Sequence, residues 1–164
     1  NPQIMVVGTD VVVIDQRNCL RGRGATVPHS PKGIKFGMVT RCCLAHPSVM
    51  FRREVFDGGE YYSANYLHTE DYEMWMRLAD KYPIANIPRP LLYYRIHNEG
   101  ITRKYRGIVL ESMMKAIIDN DPVGFPLNQK HEYLKLIRFP RQIKRSEDLK
   151  IILENWRFFF FFEL

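Results

Sequence analysis

Cysteine is scarce in this sequence, which holds only Cys19, Cys42 and Cys43 among 164 residues. Their spacing fits neither a zinc ligand set nor a disulfide framework, and adjacent cysteines rarely bridge each other. A reducing compartment is therefore favoured. The sequence also lacks a glycine-rich phosphate loop with its lysine, a nucleophile elbow and an RNA-recognition aromatic motif. The signatures of several common functional classes are thus absent.

A targeting signal and a long apolar run are missing as well. The first residues, "NPQIMVVG", contain no initiator methionine, basic segment or cleavable apolar segment. The five phenylalanines at 158–162 fall far short of the ~20 apolar residues that a membrane helix needs. Three interpretations of that run stand: an interfacial anchor on a membrane surface, the start of a truncated span, or an artefactual end. A cytoplasmic or membrane-peripheral location is expected.

Length and composition are typical of one globular domain with a basic surface. Apolar residues make up 46% of the chain, which is enough for one hydrophobic core. The formal net charge of +6 favours anionic partners such as phosphates, nucleic acid or anionic lipid, but it selects none of them. The basic residues are dispersed and no nucleic-acid motif accompanies them. We therefore rank a nucleic-acid-binding domain last among the alternatives.

The first third of the chain is expected to form strands and loops. Residues 4–14 are rich in β-branched side chains and predict a buried strand, with Gly8 as a point where it could break. Residues 15–37 hold four glycines and two prolines, which indicate a loop or short hairpin and no helix. A brief strand is expected at 49–51.

Helices are predicted in the later part of the chain. Apolar residues recur at helical spacing over residues 70–81 and again over 102–118, and a short helix is expected near the end of the connector 127–156. One face of the first helix carries Asp71, Met74, Trp75, Leu78, Ala79 and Tyr82. Asp71 therefore points in the same direction as residues that must be buried.

The acidic pair Glu70–Asp71 has a structural and a functional explanation. Acids in a first helical turn interact favourably with the unpaired amides there, contributing ~0.3–1 kcal/mol, and this suffices for Glu70. It does not explain why Asp71 lies in line with apolar residues, where a carboxylate is desolvated and its pKa rises unless it is used or paired. A structural ion pair would give the same pattern. The functional alternative is a general base that accepts a proton from a hydroxyl nucleophile.

A second group of polar residues lies on the alternating stretch 92–97, which predicts a strand. Arg95 and His97 share one of its faces, and a flexible glycine and a threonine follow at Gly100 and Thr102. Such groups suit a diphosphate and its metal ion, although an isolated histidine is more often structural. Farther upstream, His46 and Arg52 belong either to a core strand with a basic surface or to a substrate wall.

Two stretches in order, "HPSVMFRREVFDGGEYYSANYLHTEDYEMWMRLA" and "IPRPLLYYRIHNEGIT", resemble the C-terminal half of family-2 glycosyltransferases of the GT-A fold. The resembling elements are His-Pro-Ser with Met-x-Arg-Arg, the Gly-Gly turn, the Glu-Asp pair before a Trp-bearing helix, and Leu-x-Tyr-Arg-x-His. The resemblance implies an α/β fold: a partial GT-A mixed sheet at 1–103, the acceptor-side half, followed by a helical C-terminal extension at 104–164.

The resemblance also implies roles for individual residues. Asp71 matches the base of an inverting transfer of a sugar from a nucleotide-sugar donor to a hydroxyl of a glycan, lipid or protein acceptor, and Glu70 orients that base or contacts the acceptor. His97 matches the position that touches the donor diphosphate or a bound Mg²⁺ or Mn²⁺, with Arg95 beside it. The sugar or acceptor pocket would be lined by Trp75, His46, Arg52 and Gly59.

The chain departs from this family in one respect. Family members carry an N-terminal nucleotide-binding half and an Asp-x-Asp metal motif before the matching segment, and neither precedes that segment in the printed sequence; Asp10 and Asp15 are too far apart to replace the motif. Whether the chain acts as an enzyme on its own is therefore left open. The alternative is a catalytically inactive remnant or partner-binding module that retains the fold.

Overall fold

The computed structural model describes residues 1–23, 28–97 and 99–120. Within these ranges, β-branched residues build the central strand β1, Val6–Ile14. One edge of β1 pairs in parallel with the long strand β4, Ile84–Arg95. Its other edge pairs antiparallel with β2, Leu20–Arg23, at one end and with β3, Met50–Phe51, at the other. The described part of the chain thus contains a mixed four-stranded sheet.

Helices connect and cover these strands. They are α1 at Pro31–Gly37, a 3₁₀ turn at His46–Ser48, α2 at Arg53–Asp57, α3 at Glu70–Lys81, α4 at Ile101–Lys104 and α5 at Arg106–Asn120. Among the described helices, none is both long enough and apolar enough to cross a bilayer. The mixed α/β architecture predicted from the sequence is confirmed, and it is compatible with part of a nucleotide-sugar transferase fold.

The core lies where α3 packs between α1, α5 and the sheet. Most of the length of α3 is buried, and its largest buried side chains are Tyr72, Met74, Trp75, Met76 and Leu78. The same core cluster takes in residues of the sheet, of α1 and of α5. A hydrogen bond of 2.5 Å between the hydroxyl groups of Thr69, the N-cap of α3, and Ser112 on α5 also links these two helices. The proposed domain boundary at 103/104 stays a prediction.

Strand β1 runs through Gly8 without a break, so the break considered there does not occur. A Cβ atom at Gly8 would clash with Oδ1 of Asn86 on β4. The side-chain amide of this buried asparagine donates to the backbone carbonyls of Pro28 and Cys43, at 2.9 and 2.8 Å. The missing side chain therefore allows one asparagine to tie β4 to two loops.

The sequence predicted the helix at 70–81 and the short strand near 50 correctly. The prediction that 15–37 contains no helix is wrong, because Ser30 caps α1: its Oγ accepts from the Gly33 N–H, and Pro31 opens the first turn. The helix expected at 102–118 is divided at Tyr105 into α4 and α5. The predictions for 127–156 and for the phenylalanine run fall outside the described residues.

Candidate functional site

Helix α3 places Asp71 in its first turn, with Thr69 in the N-cap position. The carboxylate shares this turn with Glu70 and Glu73, where unpaired amides and the helix dipole favour negative charge. The next turn buries Met74 and Trp75 completely. The Asp71 side chain is 26% exposed, so the carboxylate lies at the rim of the apolar core rather than in open solvent.

Two groups approach the Asp71 carboxylate from different sides. Oδ1 accepts the backbone N–H of Tyr72 at 2.7 Å, and Oδ2 lies 3.5 Å from Nδ1 of His46. Burial raises the pKa of Asp71 above its ordinary value, although the Tyr72 amide and His46 act in the opposite direction. Asp71 is therefore a stronger base than an exposed aspartate. The desolvation expected from the helical pattern is present.

His46 is held in place by the 3₁₀ turn that it begins. The turn is fixed to β1 because the Thr9 N–H donates to Ser48 Oγ at 3.1 Å, while Ser48 Oγ donates to the Ala45 carbonyl at 2.8 Å. The other ring nitrogen of His46, Nε2, lies 3.1 Å from the hydroxyl of Tyr62. Asp71, His46 and Tyr62 thus form a continuous polar row.

An ionic network fastens the loop that carries Tyr62. Arg77 on α3 donates to the Tyr61 carbonyl at 2.8 Å and to the Glu73 carboxylate at 2.9 and 3.1 Å, and it also pairs with Glu60. The side chain of Glu60 is only 7% exposed. This loop is therefore anchored on the same helix that carries Asp71.

The buried ring of Trp75 packs against the rings of His46 and Tyr62. Its ring centroid lies 5.7 Å from that of His46 and 6.3 Å from that of Tyr62, both edge-on, and 5.5 Å from that of Phe51. We call Asp71, His46, Tyr62 and Trp75 the Asp71 cluster. Burial, followed by the charges of Asp71 and Glu70, raises the pKa of Tyr62, so its phenol stays protonated at neutral pH.

The other predicted site residues belong to other elements and connecting segments of the chain. Arg95, at the end of β4, donates to the Asp15 carbonyl at 2.8 Å, and the exposed His97 follows it. Arg52 donates to the Ile4 carbonyl at 2.9 Å and borders an open groove of ≈ 460 Å³. Gly59 lies at an exposed turn with a φ of +82°. Within the described ranges, no hydrogen bond or ion pair joins these four to the Asp71 cluster, and their roles stay predictions.

The described residues do not assemble a metal site. In that part of the chain no group of three or more His, Cys, Asp or Glu side chains converges on a point that could hold a cation. His97 is therefore not part of such a group within the described ranges. Mg²⁺ or Mn²⁺ remains an expectation from the resemblance.

Sequence reasoning missed Tyr62 and Arg77. Tyr62 follows the Gly-Gly turn within "DGGEYYSAN", and its contact with His46 spans 16 residues. Arg77 lies on the polar side of α3, where no periodic pattern marks a functional residue. The two adjacent tyrosines beside a glycine turn were the available signal.

No protein-family profile matches the chain. The sequence is 36% identical over 85 residues to the bifunctional glycosyltransferase pgtA of Dictyostelium discoideum, an alignment that covers 48% of this chain and 11% of that protein. It is 37% identical over 61 residues to the O-antigen biosynthesis glycosyltransferase WbnJ of Escherichia coli, covering 35% of this chain and 24% of that protein. The chain spans well under two thirds of either relative. Over part of its length, the chain is thus related to glycosyltransferases.

Proposed function

We propose that this chain is the acceptor-side part of an inverting family-2 glycosyltransferase of the GT-A fold. The protein would transfer a sugar from a nucleotide-sugar donor to a hydroxyl group of a glycan, lipid or protein. The similarity to two glycosyltransferases supports the reaction class. The observation that carries the proposal is Asp71, a carboxylate 26% exposed at the head of α3 whose pKa is raised by burial.

The proposed reaction is a single displacement. Asp71 accepts the proton of the acceptor hydroxyl as its oxygen forms a bond to the anomeric carbon of the donor. The bond from that carbon to the diphosphate breaks, and its electron pair leaves with the diphosphate. Because attack and departure occur on opposite faces, the anomeric configuration inverts. General-base assistance of this kind contributes typically ~10²–10⁴-fold in rate.

The surroundings of Asp71 suit a hydroxyl acceptor. The exposed part of the carboxylate is bordered by the partly exposed rings of His46 and Tyr62, above the buried ring of Trp75. Aromatic faces can pack against the apolar side of a sugar, while the imidazole and phenol offer hydrogen bonds to its hydroxyls. Glu70 contributes negative charge beside the base. In this proposal His97 and Arg95 contact the donor diphosphate.

The test is turnover by the full-length gene product. The purified protein is incubated with UDP-sugars and GDP-sugars, each with a mixture of simple glycoside acceptors, and release of nucleoside diphosphate is measured. We expect one donor to be consumed in an acceptor-dependent way, with a product of opposite anomeric configuration by ¹H NMR. Absence of turnover with every donor would contradict the proposal and favour a remnant that retains the fold. A product of retained configuration would exclude single displacement.

A further inference from the structure

The hydrogen-bond directions in the Asp71 cluster follow from chemistry. An ionised carboxylate can only accept, so a hydrogen bond between Oδ2 of Asp71 and Nδ1 of His46, which lie 3.5 Å apart, requires the proton on Nδ1. A neutral imidazole protonated on Nδ1 accepts at Nε2. The Tyr62 hydroxyl, 3.1 Å from Nε2, is then the donor. The row runs in one direction, from the Tyr62 O–H through the imidazole to the carboxylate.

We propose that His46 is a positioning residue, set in one tautomer by Tyr62, that fixes the orientation of the Asp71 carboxylate for proton abstraction. This inference rests on the proposed glycosyl transfer. His46 does not touch the reacting atoms in this account. It acts through Asp71, and Tyr62 acts through His46.

The imidazole is suited to this role because its own position is fixed from three sides. Its backbone lies in the 3₁₀ turn attached to β1 through Ser48. Its ring meets the edge of the fully buried Trp75. Its outer nitrogen contacts Tyr62, whose loop is fastened by Arg77. Because Oδ1 of the carboxylate is held by a backbone N–H on its own helix, a fixed donor at Oδ2 determines its plane.

His46 also counteracts the effect of burial on the base. Burial raises the pKa of Asp71, whereas His46 lowers it; Glu70 adds negative charge, and the hydroxyl of Tyr62 faces the far side of the ring. Without the electrostatic interaction that the imidazole provides, the raised pKa of Asp71 should rise further. The carboxylate would then be protonated over a wider range of acidic pH, and this can be measured without any substrate.

Two substitutions at one position separate the two ring nitrogens. The amide nitrogen of His46→Asn can occupy about the place of Nδ1, and that of His46→Gln about the place of Nε2. His46→Gln therefore removes the donor to Asp71, and His46→Asn keeps it. Tyr62→Phe removes the hydroxyl and keeps the ring against Trp75. His29→Asn is the matched control, because Nε2 of this histidine pairs with Asp10 at 3.1 Å, outside the Asp71 cluster.

The experiment follows the Asp71 carboxyl by ¹³C NMR during a pH titration of each folded variant of the 164-residue chain. We expect a higher titration midpoint in His46→Gln than in the wild type, a midpoint near the wild type in His46→Asn, and no change in His29→Asn. Equal midpoints in His46→Gln and the wild type would overturn the proposal. Thermal unfolding of each variant verifies that it is folded.

Kinetics of the full-length protein give a second readout. His46→Gln is expected to lower kcat by about 10- to 100-fold, the scale of a misplaced reacting group, with little change in the acceptor KM. The kcat of His46→Asn should be close to that of the wild type. The kcat of Tyr62→Phe should lie between those of His46→Gln and His46→Asn. If His46→Gln raises the acceptor KM and leaves kcat unchanged, His46 binds the acceptor and does not position Asp71. If the wild type consumes no donor, the proposed function fails, whereas the NMR titration still decides whether His46 controls Asp71.

Discussion

Replacing Arg77 by methionine should lower the free energy of unfolding considerably. The arginine, 23% exposed, pairs with two buried carboxylates, those of Glu60 and Glu73, whose side chains are 7% and 5% exposed. Methionine retains the apolar packing of the arginine stem, so the substitution removes chiefly the charge and the hydrogen bonds. The Tyr61 carbonyl also loses a donor.

The expected magnitude follows from the groups that are left behind. Breaking a buried ion pair by removing one partner costs ~3–5 kcal/mol. Lys81 remains paired with Glu60, and Arg77 is partly exposed, so we expect the lower value of about 3 kcal/mol. This corresponds to a decrease in Tm of about 6–12 °C for a chain of this size. The control is Arg53→Met, because the Arg53 side chain is 89% exposed and its pair with Asp57 should contribute below about 0.5 kcal/mol.

The pH dependence provides a further check on Arg77→Met. Burial raises the pKa of Glu60, but Lys81 and Arg77 outweigh it and hold the pKa below the ordinary value of 4.5. A pKa lowered by folding gives stability that is present above the unfolded value and lost as the pH falls through the folded one. The difference in the free energy of unfolding between the wild type and Arg77→Met should therefore become smaller below about pH 4.5.

The assay is urea unfolding followed by circular dichroism between pH 7 and pH 3, with equal m-values as the condition for comparing free energies. If Arg77→Met lowers the free energy of unfolding by less than about 1 kcal/mol at pH 7, or by the same amount at every pH, the reasoning is refuted. In either case the network would be a surface feature that does not anchor the loop of Tyr62.

Two other substitutions test local features of the fold. Gly8→Ala should destabilise by about 1–3 kcal/mol in urea, because the new methyl group must displace the Asn86 side chain; unchanged stability would show that β4 can move away. Burial first, and the hydrogen bond to Asp119 second, raise the pKa of Tyr66 to about 12. Spectroscopic alkaline titration of Asp119→Asn should show an earlier phenolate transition than the wild type, and an unchanged transition would contradict the assigned contact.

The sequence was sufficient to predict helix α3 because its pattern is strong over three turns. Met74, Trp75 and Leu78 recur at helical spacing and are completely buried in the structure. The same periodicity placed Asp71 over apolar surface, so the desolvated carboxylate was foreseeable. Helix α1 was missed because glycines at 33 and 37 and a proline outweighed its start signal, the serine that caps it.

The contacts of Asp71 could not be predicted, since they join distant parts of the chain, although the family resemblance had named His46 as a pocket residue. His46 reaches the carboxylate only because its 3₁₀ turn rests on β1, and Tyr62 reaches the imidazole only because Arg77 holds its loop. Neither contact has a sequence period or a motif. A pattern of residue types indicated which groups could react, whereas tertiary packing determined which of them meet.

The most direct test of the central claim is the kcat of Asp71→Asn in the full-length protein, compared with Asp80→Asn on the same helix. Asp80 is 65% exposed and pairs with Lys35, outside the Asp71 cluster, so its substitution should leave turnover near the wild-type value. We expect Asp71→Asn to lower kcat by at least about 100-fold while donor affinity, measured by calorimetry with the donor that the wild type consumes, stays close to that of the wild type. Turnover of Asp71→Asn near the wild-type level would contradict the assignment of Asp71 as the base.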